Sequence, residues 1–269
     1  LLDVRRRRDR VVIGRHSLAV IFAVLAAIAV ASPVDARRHN NPVFDQDALA
    51  VLRAAESGDW DELNKLLPPC SKLLSSTADT GMTMLQWTLA NNNEKAFRLL
   101  LRAGAKPDQP GLDGDTVIHD AAGHRNPKWL KLLLENGASP NVGNSANGAT
   151  PLVRALIAER DEQFEMLLKA GTNPNLADAT GNTPLHVAAQ INKPWHVYML
   201  LTNRADPADP FLRNAQGQTF QRYLFMTEDG LLNKRTREGR RLVLDYLSIK
   251  DIPIEPGAPP HHQPEFKQP

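Results

Sequence analysis

The chain has 269 residues and carries 32 Lys and Arg against 30 Asp and Glu, a net charge of +2. Six of the arginines but only three of the acids fall in residues 1–36, which leaves 26 basic and 27 acidic residues in a near-neutral remainder. That remainder lacks the clustered basic surface that phosphate neutralisation needs, and the single cysteine, Cys70, excludes an internal disulfide and a thiolate zinc site.

The first 36 residues have three parts. Arg5, Arg6, Arg7, Arg8, Arg10 and Arg15 precede an apolar run over 18–31, and Ser32-Pro33-Val34-Asp35-Ala36 follows. This is the layout of a secretory signal peptide, with cleavage expected after Ala36. The run is shorter than the roughly 20 residues of a spanning helix, so the cleaved chain is expected in the periplasm with no stable membrane anchor. An uncleaved anchor is the alternative, and it needs the span to cross Arg15 and His16. Cys70 lies outside this leader, so it is not a lipid-bearing cysteine.

Residues 37–44 read as a polar linker. From Asp45 a good helix former, 48–55, is followed by Gly58-Asp59 and a second apolar face made by Leu63, Leu66 and Leu67. Residues 45–79 are therefore a helix–turn–helix unit of irregular type, stopped by Pro68 and Pro69. Four regular units follow over 80–215. Their threonines recur at Thr83, Thr116, Thr150, Thr183 and, in the next unit, Thr219, at intervals of 33, 34, 33 and 36 residues. A glycine stands two residues before each, from Gly81 to Gly217, as a turn with positive φ requires. The threonines are placed to cap a first helix, with Pro151 and Pro184 at its first position and Leu85, Ile118, Leu152 and Leu185 facing the core. Second helices align at 99–101, 132–134, 166–168 and 199–201, and Gly104, Gly137 and Gly171 end three of them. Pro107, Pro140, Pro174 and Pro207 keep the same spacing.

The connection from Pro207 to Thr219 is longer than its predecessors and contains Asp209-Pro210-Phe211-Leu212-Arg213. Residues 216–252 form a last unit with an extended second helix, whose stripe is Leu242, Val243, Tyr246 and Leu247. The proline-rich residues 253–269 are expected to be an unpacked, disordered tail.

Thr183-Pro184-Leu185-His186-Val187-Ala188-Ala189, on a period near 33, resembles the first helix of an ankyrin repeat. The resemblance runs over roughly 45–253. It implies an all-α repeat solenoid of helix–turn–helix units joined by β-hairpin loops, about six units including two atypical caps.

No catalytic pattern stands out: nucleophile elbow, phosphate loop and paired-histidine zinc helix are all missing from the sequence. No catalytic, cofactor-binding or metal-binding residue is assigned, and the chain is read as not an enzyme. His119 and His186 hold the fourth position of the T-P-L-H pattern, where the resemblance implies hydrogen bonds to neighbouring hairpins. His124 and His196 are not expected to converge, and His261 and His262 with Glu265 make a poor site on a flexible segment. Asp120 and Arg154 stand at one position of adjacent units and are read as an ion pair. Lys234, Arg235, Arg237, Arg240 and Arg241 are read as a solvated helix face.

In ankyrin proteins partners bind the hairpin tips and inner helices of the concave face. The matching tip residues here are Asp79, Thr80 and Met82; Leu112, Asp113 and Asp115; Asn147; Thr180 and Asn182; and Gln216 and Gln218. Asn91, His124, Ile157 and Gln190 follow the first helices. Phe211 and Leu212 in the lengthened finger are the candidate apolar anchor. The tips are polar and slightly acidic, so a neutral or basic partner patch is expected. The resulting expectation is a monomeric, non-enzymatic adaptor that binds a periplasmic or envelope protein and no nucleic acid. The alternative is an immunity protein that neutralises a toxin acting in the periplasm.

Overall fold

Helix pairs separated by polar turns cannot bury their apolar faces alone, so they stack on one another. The computed structural model describes residues 42–67 and 72–255, and the leader, Cys70 and His261, His262 and Glu265 lie outside them. Twelve α-helices run through the described residues: α1 Gln46–Ser57, α2 Trp60–Leu66, α3 Met84–Ala90, α4 Glu94–Arg102, α5 Val117–Gly123, α6 Lys128–Glu135, α7 Pro151–Ile157, α8 Asp161–Lys169, α9 Pro184–Gln190, α10 Pro194–Leu201, α11 Phe220–Leu224 and α12 Lys234–Ile249. The short inner helices α3, α5, α7, α9 and α11 pack in series, and α4, α6, α8 and α10 each back the inner helix of their own unit. None of the described helices is long and apolar enough to cross a membrane.

Each inner helix starts as its sequence dictates. Thr83 accepts a hydrogen bond from the Gln86 N–H while the Gln86 side chain takes that of Thr83, and His119 and His186 close the same box with Thr116 and Thr183. Pro151 and Pro184 occupy the first helical turn, where the missing amide is harmless. The ends of α4, α6 and α8 are just as regular. Gly104, Gly137 and Gly171 have positive φ, and the residue after each returns its N–H to a carbonyl in the last turn, as from Ala105 to Leu100 at 2.9 Å.

The core is one continuous cluster from Phe44 to Leu247, with Leu85, Ile118, Leu152 and Leu185 all buried. Phe97 on α4 and Trp129 on α6 meet edge to face at 5.1 Å, and Phe164 on α8 is also fully buried. Burying a side chain of this size contributes about 1.5–3 kcal/mol.

The two ends depart from the expectation. Phe44, placed in a linker by sequence, is buried and meets Trp87 edge to face at 6.2 Å, while Val43 exchanges two 2.9 Å hydrogen bonds with Asp79. At the other end residues 253–255 are tied to the last unit by hydrogen bonds, although Pro253 and Ile254 stay exposed. Gln221, at the position held elsewhere by a core leucine or isoleucine, donates to the Pro253 carbonyl at 3.0 Å and accepts from the Glu255 N–H at 3.1 Å. An amide there fits because, among the described residues, no further repeat covers the last inner helix. The hairpins also form without regular strands; among the described residues the β pairing is a single bridge between Thr77 and Thr83.

Candidate functional site

The tips are built by side chains as much as by glycines. Asn144 Oδ1 accepts from the N–H groups of Ala146 and Asn147 at 2.7 and 3.0 Å, Asp178 Oδ1 from Thr180 and Asn182 at 2.8 and 2.9 Å, and Asn214 Oδ1 from Gln216 and Gln218, both at 3.1 Å. These are Asx turns, which reverse the chain locally. Neighbouring tips are then joined through their backbones: Ser145 donates to Gly114 at 2.9 Å, Ala179 to Asn147 at 2.8 Å and Ala215 to Thr180 at 3.0 Å. A row fixed in this way loses little freedom when it meets a partner.

Along that row Asp79, Asp113, Asn147, Thr180 and Gln216 are exposed, and Thr80, Leu112, Asn182 and Gln218 are half-buried. Two expected contact residues turn inward. Met82 is 2% exposed because it faces the core, and Asp115 is 6% exposed because Asn144 Nδ2 donates to it at 2.7 Å and the Arg154 guanidinium closes on it. Arg154 thus has Asp115 as partner, while Asp120 accepts from Gln86 Nε2 at 2.9 Å. At the opposite ends of the inner helices Asn91 is exposed, and His124, Ile157 and Gln190 are half-buried. His124 accepts from the Asn126 N–H at 3.0 Å and lies edge-on to Trp129, which fixes its ring against α6.

The finger presents its aromatic outward. Phe211 is 61% exposed and Leu212 half-buried. Asp209 donates its N–H to Asn175 Oδ1 and accepts that of Phe211, both at 2.8 Å, while Arg213 Nη1 reaches the Gly217 carbonyl at 2.7 Å. The base is fastened and the ring is not.

Between units the T-P-L-H histidines act as latches. His119 Nδ1 accepts the Thr116 N–H at 3.1 Å, so Nε2 carries the proton and donates to the Ala149 carbonyl at 2.9 Å. His186 repeats this between Thr183 and Gln218. Burial lowers both pKa values, opposed by nearby acids and carbonyls. Gln86 makes the same latch, taking the Thr83 N–H and donating to the Asp115 carbonyl at 3.2 Å. Sequence reading missed it, although Thr83-Met84-Leu85-Gln86 is a capping-box pattern. Arg240 is a second miss. It is 2% exposed, not solvated, and shares a stripe with Val243 and Leu247.

Among the described residues no group of three or more His, Cys, Asp or Glu side chains is arranged to hold a metal ion. His196 instead meets Asp161 at 3.1 Å and Phe164 edge-on.

A repeated helix pair with capped inner helices, latched tips and an open row of loops defines a class, and comparison with known proteins agrees with it. A family model described as ankyrin repeats (3 copies) matches residues 51–144 and 139–210. Protein PhlB of Serratia liquefaciens is 35% identical over 183 residues, covering 66% of this chain and 80% of that protein. Human ankyrin repeat and SOCS box protein 16 is 37% identical over 172 residues, but the match spans only 37% of it against 60% of this chain. Among solved structures the ankyrin repeat domain of Bcl-3 superposes with a TM-score of 0.56 at 21% identity, over 84% of this chain and 96% of that one. The chain belongs to the ankyrin repeat family, whose members generally mediate protein–protein interaction.

Proposed function

We propose that this array is a non-enzymatic adaptor that binds a periplasmic or envelope protein through its hairpin tips and inner-helix ends, with Phe211 as the apolar anchor. The observation that carries the reading is the exposed Phe211 ring on a fastened finger beside a row of polar tips. A rigid aromatic in polar surroundings is the usual form of an interface hot spot. The exposed Asp79 and Asp113 favour a neutral or basic patch on the partner. The arginine-rich leader and its short apolar run support export.

The test is capture of the partner by the tagged full chain from a periplasmic extract of its host, compared with Phe211→Ala. Truncating a hot spot costs about 2 kcal/mol or more of binding, so capture should fall at least tenfold. The exposed ring contributes little to stability, so Tm should move by less than about 2 °C. Undiminished capture by the variant, or a large loss of Tm, would show that the finger is not an anchor. A toxin as the captured protein would turn the adaptor reading into one of immunity.

A further inference from the structure

The last inter-helix connection, residues 225–233, covers the start of α12, and Arg240 lies beneath it. Its Nη1 donates to the Thr227 carbonyl and to Asp229 Oδ1, both at 2.7 Å, and its guanidinium lies 5.8 Å from the Phe225 ring centroid. Nε and Nη2 are sealed from solvent and have no hydrogen-bond partner among the described residues. Those two nitrogens form one edge of the planar fork, with N–H groups spaced to meet both oxygens of one carboxylate. Keeping such an edge bare in a buried place is costly, and burial pulls the Arg240 pKa below its usual value while Asp229 pulls it back. An apolar side chain would complete the stripe at lower cost.

The cover is lightly held. Its 3-10 turn, Asp229–Leu231, is closed by two backbone bonds, from the Leu231 N–H to the Glu228 carbonyl at 3.0 Å and from the Leu232 N–H to the Asp229 carbonyl at 3.2 Å. It is tied to the rest of the unit by the bond from Arg240 to Asp229 and by the burial of the flanking Leu232. Leu231 is 71% exposed and Met226 40% exposed, and in sequence they flank Thr227 and Asp229, the two partners of the buried charge.

We propose that Arg240 is a docking site for a carboxylate of the partner protein, with Asp229 holding the cover closed through Nη1. This rests on the interaction reading above. In the bound state the 229–231 turn swings outward, and an acidic side chain or chain terminus seats both oxygens on Nε and Nη2. Leu231 and Met226 then cover an apolar residue next to that carboxylate. One acidic group is thus read here while the slightly acidic tips face a neutral or basic patch, which fixes the partner's polarity along the array.

Sodium acetate is the probe, on the full chain carrying Asp229→Ala, against sodium chloride at equal ionic strength. At 200 mM, acetate should raise the variant's Tm by about 3 °C over chloride, as expected for a ligand present at several times its Kd. It should also move the Arg240 Nε–H resonance of nitrogen-labelled protein, with a much smaller effect on the wild type. Adding Arg240→Lys should abolish the Tm effect, because an ammonium has no fork. Asp229→Asn takes the place of the alanine variant if the latter fails to fold. Equal Tm in the two salts with an unmoved resonance would overturn the proposal. Should Phe211-dependent capture persist in that case, only this inference fails. An acetate effect without any capture would instead remove the interaction reading and leave a free anion site.

Discussion

A histidine that gives both ring nitrogens to its neighbours ties the fold to pH. His119 and His186 are neutral latches whose folded pKa values lie below the ordinary 6.5, chiefly through burial. The unfolded chain therefore binds more protons below that value, and stability that is complete above about pH 6.5 falls as pH drops through the folded pKa values. His119→Gln copies the latch that Gln86 already makes and removes one of these protonation sites. Its Tm between pH 7 and 5 should decline less steeply than that of the wild type, with similar Tm at pH 7. An unchanged slope would mean that His119 does not contribute. The T-x-x-H pattern made this role legible in sequence, whereas Gln86 and Arg240 were read past. Gln86 differs in chemistry but matches in position, and Arg240 was grouped with four basic neighbours although its spacing to Val243 and Leu247 places it on the buried stripe.

At the scale of the element, the period of 33 residues located every inner helix, because capping threonines and N-terminal prolines act locally and need no tertiary context. The tips were less legible. Their glycines were read correctly as positive-φ positions, but Asn144, Asp178 and Asn214 turn the chain through side-chain bonds that no periodicity shows. The same limit sent Met82 and Asp115 to the surface by analogy of position, when the register of the first tips turns them inward. Gly181 tests how firmly the row is joined. It has φ +78°, and a Cβ there would lie 2.7 Å from the Ala215 nitrogen, which bonds to the Thr180 carbonyl. Gly181→Ala should destabilise the protein by about 1–3 kcal/mol through strain and the displaced finger. Thermal or urea unfolding measures it, and a change under about 0.5 kcal/mol would mean that the tips adjust independently.

Across the whole molecule, the regular middle was readable and the ends were not. A repeat in the interior buries its faces on two like neighbours, so its sequence repeats; an end unit is closed by whatever chain lies nearby. Here that is Val43 and Phe44 on one side and residues 253–255, held by Gln221, on the other. The binding row is likewise a property of the assembly, since exposed Asn147, Thr180 and Gln216 become one surface only when the tips are joined. Recognition therefore depends on which surface meets the partner. Site-specific photo-crosslinking tests this directly, with the reactive group placed in turn at Asn147, Phe211 and Gln216 and, on the outer helix α8, at Lys169. One shared crosslinked protein is expected from the tip and finger positions and none from Lys169. The same protein captured from Lys169, with the tips silent, would contradict it.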